Sequence, residues 1–177
     1  VRMAINVLIK TGKVSPGREF IKDLPQILSG KSSKHRELRE IFWGAFAREF
    51  FVHVSRSYDS RSQGQTDDIG RKFRRLSPAT LSKKGPRIGI LRATDRLYRS
   101  YKPGAYAGGK YRPPPEQVFD ISGRGLKMGS SVPYAKEATK FRPIIPSRGI
   151  VSYDLWISKS VNVALNELAL FLQRTLK

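Results

Sequence analysis

The sequence predicts an α+β fold: one domain in which a small antiparallel sheet packs against two long helices, with extended loops between them. Three observations lead there. Apolar residues recur at helical spacing from His35 to about Tyr58 and again from about Ser158 towards the end, while Glu116 to Ser122 alternates with period two and runs into a glycine-rich turn. At 177 residues, 39% hydrophobic and 27% charged, the chain is long enough for one real core and too apolar to be disordered throughout.

The first segment, Ala4 to Lys10, is rich in β-branched residues and stopped by Thr11-Gly12-Lys13, the pattern of a strand ending in a turn. After Ser15-Pro16, the residues Phe20, Leu24, Ile27 and Leu28 have helical spacing, with Pro25 kinking or dividing that helix and Gly30 closing it. In the long segment from His35, Leu38, Ile41, Phe42, Ala45, Phe46, Glu49 and Val52 share one face. Trp43, Phe50, Phe51 and Val54 form a second apolar side, which implies either a helix buried on most sides in its own domain or a face for another subunit or a covering loop.

Residues 55–70 are almost wholly polar and read as a mobile loop. Ser77-Pro78-Ala79-Thr80-Leu81 specifies a short helix with serine at its cap and proline in its first turn. Leu91, Leu97 and Tyr98 suit one face of a helix begun near Thr94, and the Gly/Pro/Tyr-rich residues 101–115 read as a loop. Phe119 and Ile121, followed by Gly123-Arg124-Gly125 and Leu126-Lys127-Met128-Gly129, predict a β-hairpin. Pro133 to Lys140 suits a short helix, and Ile150 to Ile157 a strand or extended arm. The last helix follows, with Val161, Ala164, Leu165, Leu168, Phe171 and Leu172 on its apolar face and Arg174 and Lys177 near its carboxyl end.

Charge narrows the class of partner. Thirty-four Lys+Arg stand against 14 Asp+Glu, a formal net charge of +20, so the working partner is expected to be anionic. Arg71, Lys72, Arg74, Arg75, Lys83, Lys84 and Arg87 form one basic cluster, and Lys102, Lys110 and Arg112 are interleaved with Tyr101, Tyr106 and Tyr111 in a second. Both are candidate contacts for DNA or for an acidic partner subunit; the aromatic spacing of the second suits a flexible arm more than a stacking platform. No helix-turn-helix, zinc-finger or RNA-recognition signature can be read, so contact with nucleic acid would be sequence-independent.

Other chemistry is poorly supplied. The chain has no cysteine, and its two histidines, His35 and His53, lie far apart with no third ligand at useful spacing. It contains no Gly-x-Ser-x-Gly elbow, no phosphate loop and no complete Gly-x-Gly-x-x-Gly fingerprint. We therefore expect no catalytic, metal or cofactor site. The longest apolar runs fall short of the ~18 to 20 residues that span a bilayer, and Val1 to Lys10 lacks a signal peptide's pattern. The expected setting is the cytoplasm of the producing cell, with no membrane partner.

Three short elements in order carry a resemblance: Leu76-Ser77-Pro78-Ala79-Thr80-Leu81, then Leu91-Arg92-Ala93-Thr94-Asp95-Arg96-Leu97, then Val132-Pro133-Tyr134-Ala135 followed by Arg142-Pro143-Ile144-Ile145. This order resembles the virion-morphogenesis proteins of tailed bacteriophages, which form the neck and tail-completion region. Their pattern reads LSPxT, TGRL, VxYAxxHQFG and RPFL. Asp95 stands where that pattern has glycine, and Glu137-Ala138-Thr139-Lys140 where it has HQFG. The resemblance implies a structural virion protein, assembled in the host cytoplasm, that forms a ring of hexameric or related symmetry and joins a completed tail to the head connector. Its implied partners are further copies of itself, neighbouring connector, tail-tube or tail-terminator proteins, and packaged DNA in the lumen. Thr94, Arg96, Leu97, Tyr134, Arg142 and Pro143 become candidate subunit-contact or structural residues. The alternative is a sequence-independent nucleic-acid-binding protein of ribosomal or nucleoid type.

Overall fold

The computed structural model describes residues 35–62, 77–84, 95–122, 125–141 and 151–175. In chain order these form helices α1 (Arg36–Ser62), α2 (Pro78–Lys84) and α3 (Arg96–Ser100), strands β1 (Ala105–Ala107), β2 (Lys110–Arg112), β3 (Gln117–Ser122) and β4 (Gly125–Ser130), and helices α4 (Ala135–Phe141) and α5 (Val151–Thr175). The fold is α+β. Its described strands form two separate antiparallel hairpins, β1–β2 and β3–β4. The expected strand at Ala4 to Lys10 and helix around residues 16–28 lie outside the described residues.

Helix α1 is the centre of the core because its apolar residues point in nearly every direction. Ile41, Phe42, Trp43, Ala45, Phe46, Ala47, Phe50, Phe51 and Val54 are all buried. The chain itself therefore encloses both of the helix's apolar sides. Their rings contact one another along the helix: Phe42 meets Trp43 edge-on at 5.0 Å between centroids, Trp43 meets Phe46 at 5.6 Å, and Phe46 stacks on Phe50 at 6.1 Å. Such pairs add about 0.5–1.5 kcal/mol each beyond the area they bury.

The second long helix, α5, packs along α1. It begins seven residues earlier than about Ser158, so the strand or arm expected at Ile150 to Ile157 is helical from Val151. The reason is tertiary. Trp156, Ser160, Val161, Ala164 and Leu168 are buried at helical spacing, and Trp156 meets Phe50 edge-on at 6.1 Å while stacking on the His53 ring at 5.6 Å. Burying that stripe outweighs the β preference of Val151 and Ile157.

The loop expected at residues 55–70 is likewise helical as far as Ser62. Tyr58 decides this: it lies one turn beyond Val54, is 1% exposed, and its ring packs against Tyr98 at 5.0 Å. One buried aromatic residue thus carries the helix into a segment that otherwise looks polar. The short helices at Pro78–Lys84 and Ala135–Phe141 and the β3–β4 hairpin follow the expected pattern, the hairpin pairing Gln117 with Ser130 through to Ser122 with Gly125. Helix α3 begins two residues later than Thr94 and is a single turn.

Residues 101–115 are not a loop throughout, because they contain the β1–β2 ribbon. Gly108 and Gly109 have φ of 57° and 76°, the left-handed pair that a two-residue hairpin turn requires. Tyr106 and Tyr111, paired across the ladder, face inward, and Ala105, Ala107, Lys110 and Arg112 face outward. The ribbon rests on α1, where Gly44 leaves room for it: a Cβ there would lie 3.0 Å from the Tyr106 ring and 3.1 Å from the Tyr111 Cβ. Pro113-Pro114-Pro115 then separates β2 from β3.

Gly104, just before the ribbon, has the least room of the described glycines. A Cβ there would lie 2.3 Å from the Arg112 carbonyl oxygen and 2.7 Å from Tyr111 Cζ, and neither backbone nor buried ring can move aside cheaply. Gly104→Ala should cost about 2–3 kcal/mol in urea denaturation, whereas Gly108→Ala, whose Cβ meets nothing within 4 Å, should cost only about 1 kcal/mol of left-handed strain.

Candidate subunit-contact site

The short helix α3 and the residues where β3 begins and β4 ends build one polar junction. Arg96, exposed at the first turn of α3, donates from Nε to both carboxylate oxygens of Glu116, at 2.7 and 2.8 Å, and from Nη2 to Oε1 as well. The hydrogen bond from Arg96 holds the Glu116 carboxyl below the usual carboxylate range, and the same pairing pushes the guanidinium further up. Tyr134 is close enough to act on the charge of Arg96. The Glu116 carbonyl accepts from the Ser131 N–H at 2.8 Å and from the Ser131 hydroxyl at 3.1 Å.

Both ends of this ion pair stand beside or on strained backbone. Asp95, which caps α3, has φ 52°, and Glu116 itself has φ 63°. Left-handed geometry is uncommon outside glycine and costs roughly 1–2 kcal/mol per residue, somewhat less for Asp. The surrounding contacts hold it: the Asp95 carbonyl accepts from the Arg99 N–H at 2.8 Å, and the Gln117 N–H donates to the Pro114 carbonyl at 3.1 Å.

Beneath the ion pair lies a buried network centred on Gln117. Its Nε2 donates to the carbonyls of Ser100, at 3.0 Å, and Lys102, at 2.9 Å. Its Oε1 accepts from the Tyr111 hydroxyl, which in turn accepts from the Gly104 N–H at 2.8 Å. Burial pushes the Tyr111 phenol up to about 12, so it keeps its proton and remains the donor. Ser100, fully buried, donates to the Leu97 carbonyl at 2.8 Å and shares a hydrogen bond with Ser130 at 2.7 Å. One amide thus joins α3, the ribbon and β3, every polar atom of it engaged.

The expected contact residues divide accordingly. Leu97 is buried, Arg96 faces outward to Glu116, and Tyr134 is 42% exposed, with Val132 and Ala135 on either side of it turned into the core. The second and third sequence elements therefore converge on one place. Thr94, Arg142 and Pro143 lie outside the described residues, as do Arg71, Lys72, Arg74, Arg75 and Arg87. Lys83 is exposed on α2, and Lys84 ends that helix. Lys102 sits over the Tyr98 ring at 4.9 Å, and Lys110 and Arg112 occupy the outer face of the ribbon.

The interleaved tyrosines do not form a flexible arm. Tyr101 and Tyr111 are buried and Tyr106 is half-buried, its hydroxyl donating to the Ile41 carbonyl at 3.3 Å, so these rings belong to the core. Sequence reasoning also missed Glu116, Gln117 and Ser100. The available signal was Arg96 itself, since an arginine beginning a helical turn calls for a carboxylate partner.

Lys110 and Tyr111 also line a cleft of about 400 Å³, together with Arg36, Arg39 and Glu40 of α1 and Phe119 to Ser122 of β3. Among the described residues no three His, Asp or Glu side chains converge in a way that would hold a metal ion. No described helix is long and apolar enough to cross a membrane. Comparison of the chain with protein-family models, curated proteins and solved structures finds no match.

Two outcomes test the junction. Gln117→Leu should cost about 3 kcal/mol in urea denaturation, because it removes the donor to the Ser100 and Lys102 carbonyls and leaves the buried Tyr111 hydroxyl proton without its acceptor. For Glu116 the sign follows from its lowered value: the ion pair stabilises the fold above the unfolded carboxyl value of about 4.3, and the contribution disappears as pH falls through the folded value. Wild type should therefore exceed Glu116→Gln in stability at about pH 7, and the gap should narrow progressively as pH falls below about 4.3.

Proposed function

We propose that this protein is a structural component of a tailed-phage virion, forming a ring in the neck that completes the tail and joins it to the head connector. The observation that carries the reading is the meeting of two family-like sequence elements, Asp95-Arg96-Leu97 and Val132-Pro133-Tyr134-Ala135, at one junction. Asp95, standing where the family pattern has glycine, adopts the left-handed backbone that glycine favours. Asp95 thus takes a backbone conformation that a glycine at that position would also take readily.

On this reading Leu97, Val132 and Ala135 secure the junction from inside, while Tyr134 and the Arg96–Glu116 pair present a preorganised surface to the next subunit. Tyrosine and arginine are the residue types that most often anchor interfaces. Head-to-tail contacts between identical subunits close into rings when the rotation permits. The immediate neighbours are connector and tail-tube or tail-terminator proteins, and the excess positive charge faces acidic subunits or DNA in the lumen.

The test is the mass of the purified full chain by light scattering, with negative-stain imaging, alone and with isolated tails or heads. A ring, formed alone or on docking, is expected, and Tyr134→Ala should weaken it while changing monomer stability by no more than about 0.5 kcal/mol. A wild-type chain that remains monomeric and ignores virion parts overturns the proposal.

A further inference from the structure

The outer face of the β1–β2 ribbon is a second surface, and its composition indicates what it meets. Four side chains make it up: Ala105 opposite Arg112, and Ala107 opposite Lys110. All four are exposed. Neither Lys110 nor Arg112 has an ion-pair partner among the described residues. The ribbon's larger side chains, Tyr106 and Tyr111, are committed to the inward face, and a buried glycine contact at Gly44 fixes that orientation.

From this face we infer that the ribbon binds a nucleic-acid backbone, with Lys110 and Arg112 neutralising phosphates irrespective of sequence. Alternate residues of a strand lie about 6.7 Å apart, comparable to the spacing of successive phosphates along one nucleic-acid strand. The two alanines opposite them leave nothing standing between the ribbon and a close-packed polyanion. A two-stranded ribbon is also narrow enough to enter the major groove of a duplex.

An acidic protein partner fits less well. Stable protein interfaces are centred on buried aromatic or branched anchors, and this face presents none. The positive surface continues past the ribbon, because Lys110 also lines the cleft walled by Arg36 and Arg39. There it is partly offset: Arg36 pairs with Glu40 at 3.0 Å, and Asp120 also lines the cleft. Direct phosphate contact is therefore assigned to Lys110 and Arg112 alone. The inference does not rest on ring assembly, since a monomer would carry the same ribbon.

The experiment is fluorescence anisotropy of labelled mixed-sequence duplex DNA with the full chain across a salt series. The Lys110→Ala/Arg112→Ala variant should lower the slope of log K against log salt by about 1.8 and weaken binding on the order of fifty-fold at about 0.1 M salt. Ala107→Glu should weaken binding in the same direction without removing a cation. The control pair Lys159→Ala/Arg174→Ala, two exposed cations of α5, should leave both quantities nearly unchanged. Thermal melting of each variant checks that the fold is retained. Equal losses in the ribbon and control pairs would show that only total charge matters and would overturn the assignment. So would competition by oligoglutamate as effective as competition by DNA of equal charge, which would assign the ribbon to an acidic protein.

Discussion

A helix with buried residues on nearly every side cannot be satisfied by one neighbour, and this constraint on α1 organises the rest of the molecule. Helix α5 covers one side through Trp156, Ala164 and Leu168, and the ribbon covers another through Tyr106 and Tyr111. The β3–β4 hairpin reaches the same core through Phe119, which packs on Tyr111 at 4.7 Å between ring centroids. The ring contacts along α1 are therefore shared, and a change in one covering element is felt by the others through the same aromatic column.

Polar bonds then fix how the covering elements meet. Hydrophobic burial is nondirectional, so it would tolerate several placements of two small hairpins on a helix. The Gln117 amide does not, because its two donors and one acceptor must find Ser100, Lys102 and Tyr111 together. The exposed Arg96–Glu116 pair above it adds orientation more than stability, as solvent-exposed ion pairs generally do.

The elements legible in the sequence were those whose pattern is local. The α1 stripe, the Ser77-Pro78 cap and the alternation at Phe119 and Ile121 each need only a few neighbouring residues to be read. The errors came where a distant partner decides. Tyr58 extends α1 because Tyr98 awaits it, and Trp156 makes residues 151–157 helical because Phe50 and His53 do. The ribbon is a different case: Gly108-Gly109 between two tyrosines was a readable hairpin signal, obscured by the surrounding prolines and glycines. Of the junction, Arg96, Leu97 and Tyr134 could be singled out by their motif, but Glu116 and Gln117 gain their roles only once β3 is folded beside α3.

The prolines that obscured the ribbon also bear on how the chain behaves in a crowded solution. A three-residue strand offers few unpaired backbone groups to a foreign chain, and Pro103 before the ribbon and Pro113-Pro114-Pro115 after it cannot donate any N–H that would lengthen the ladder. The two cations on its outer face repel another copy approaching in the same way. The ribbon is thereby kept from templating edge-to-edge sheet growth, so an exposed pair of strands can be carried at high protein concentration with little risk of fibrous aggregation.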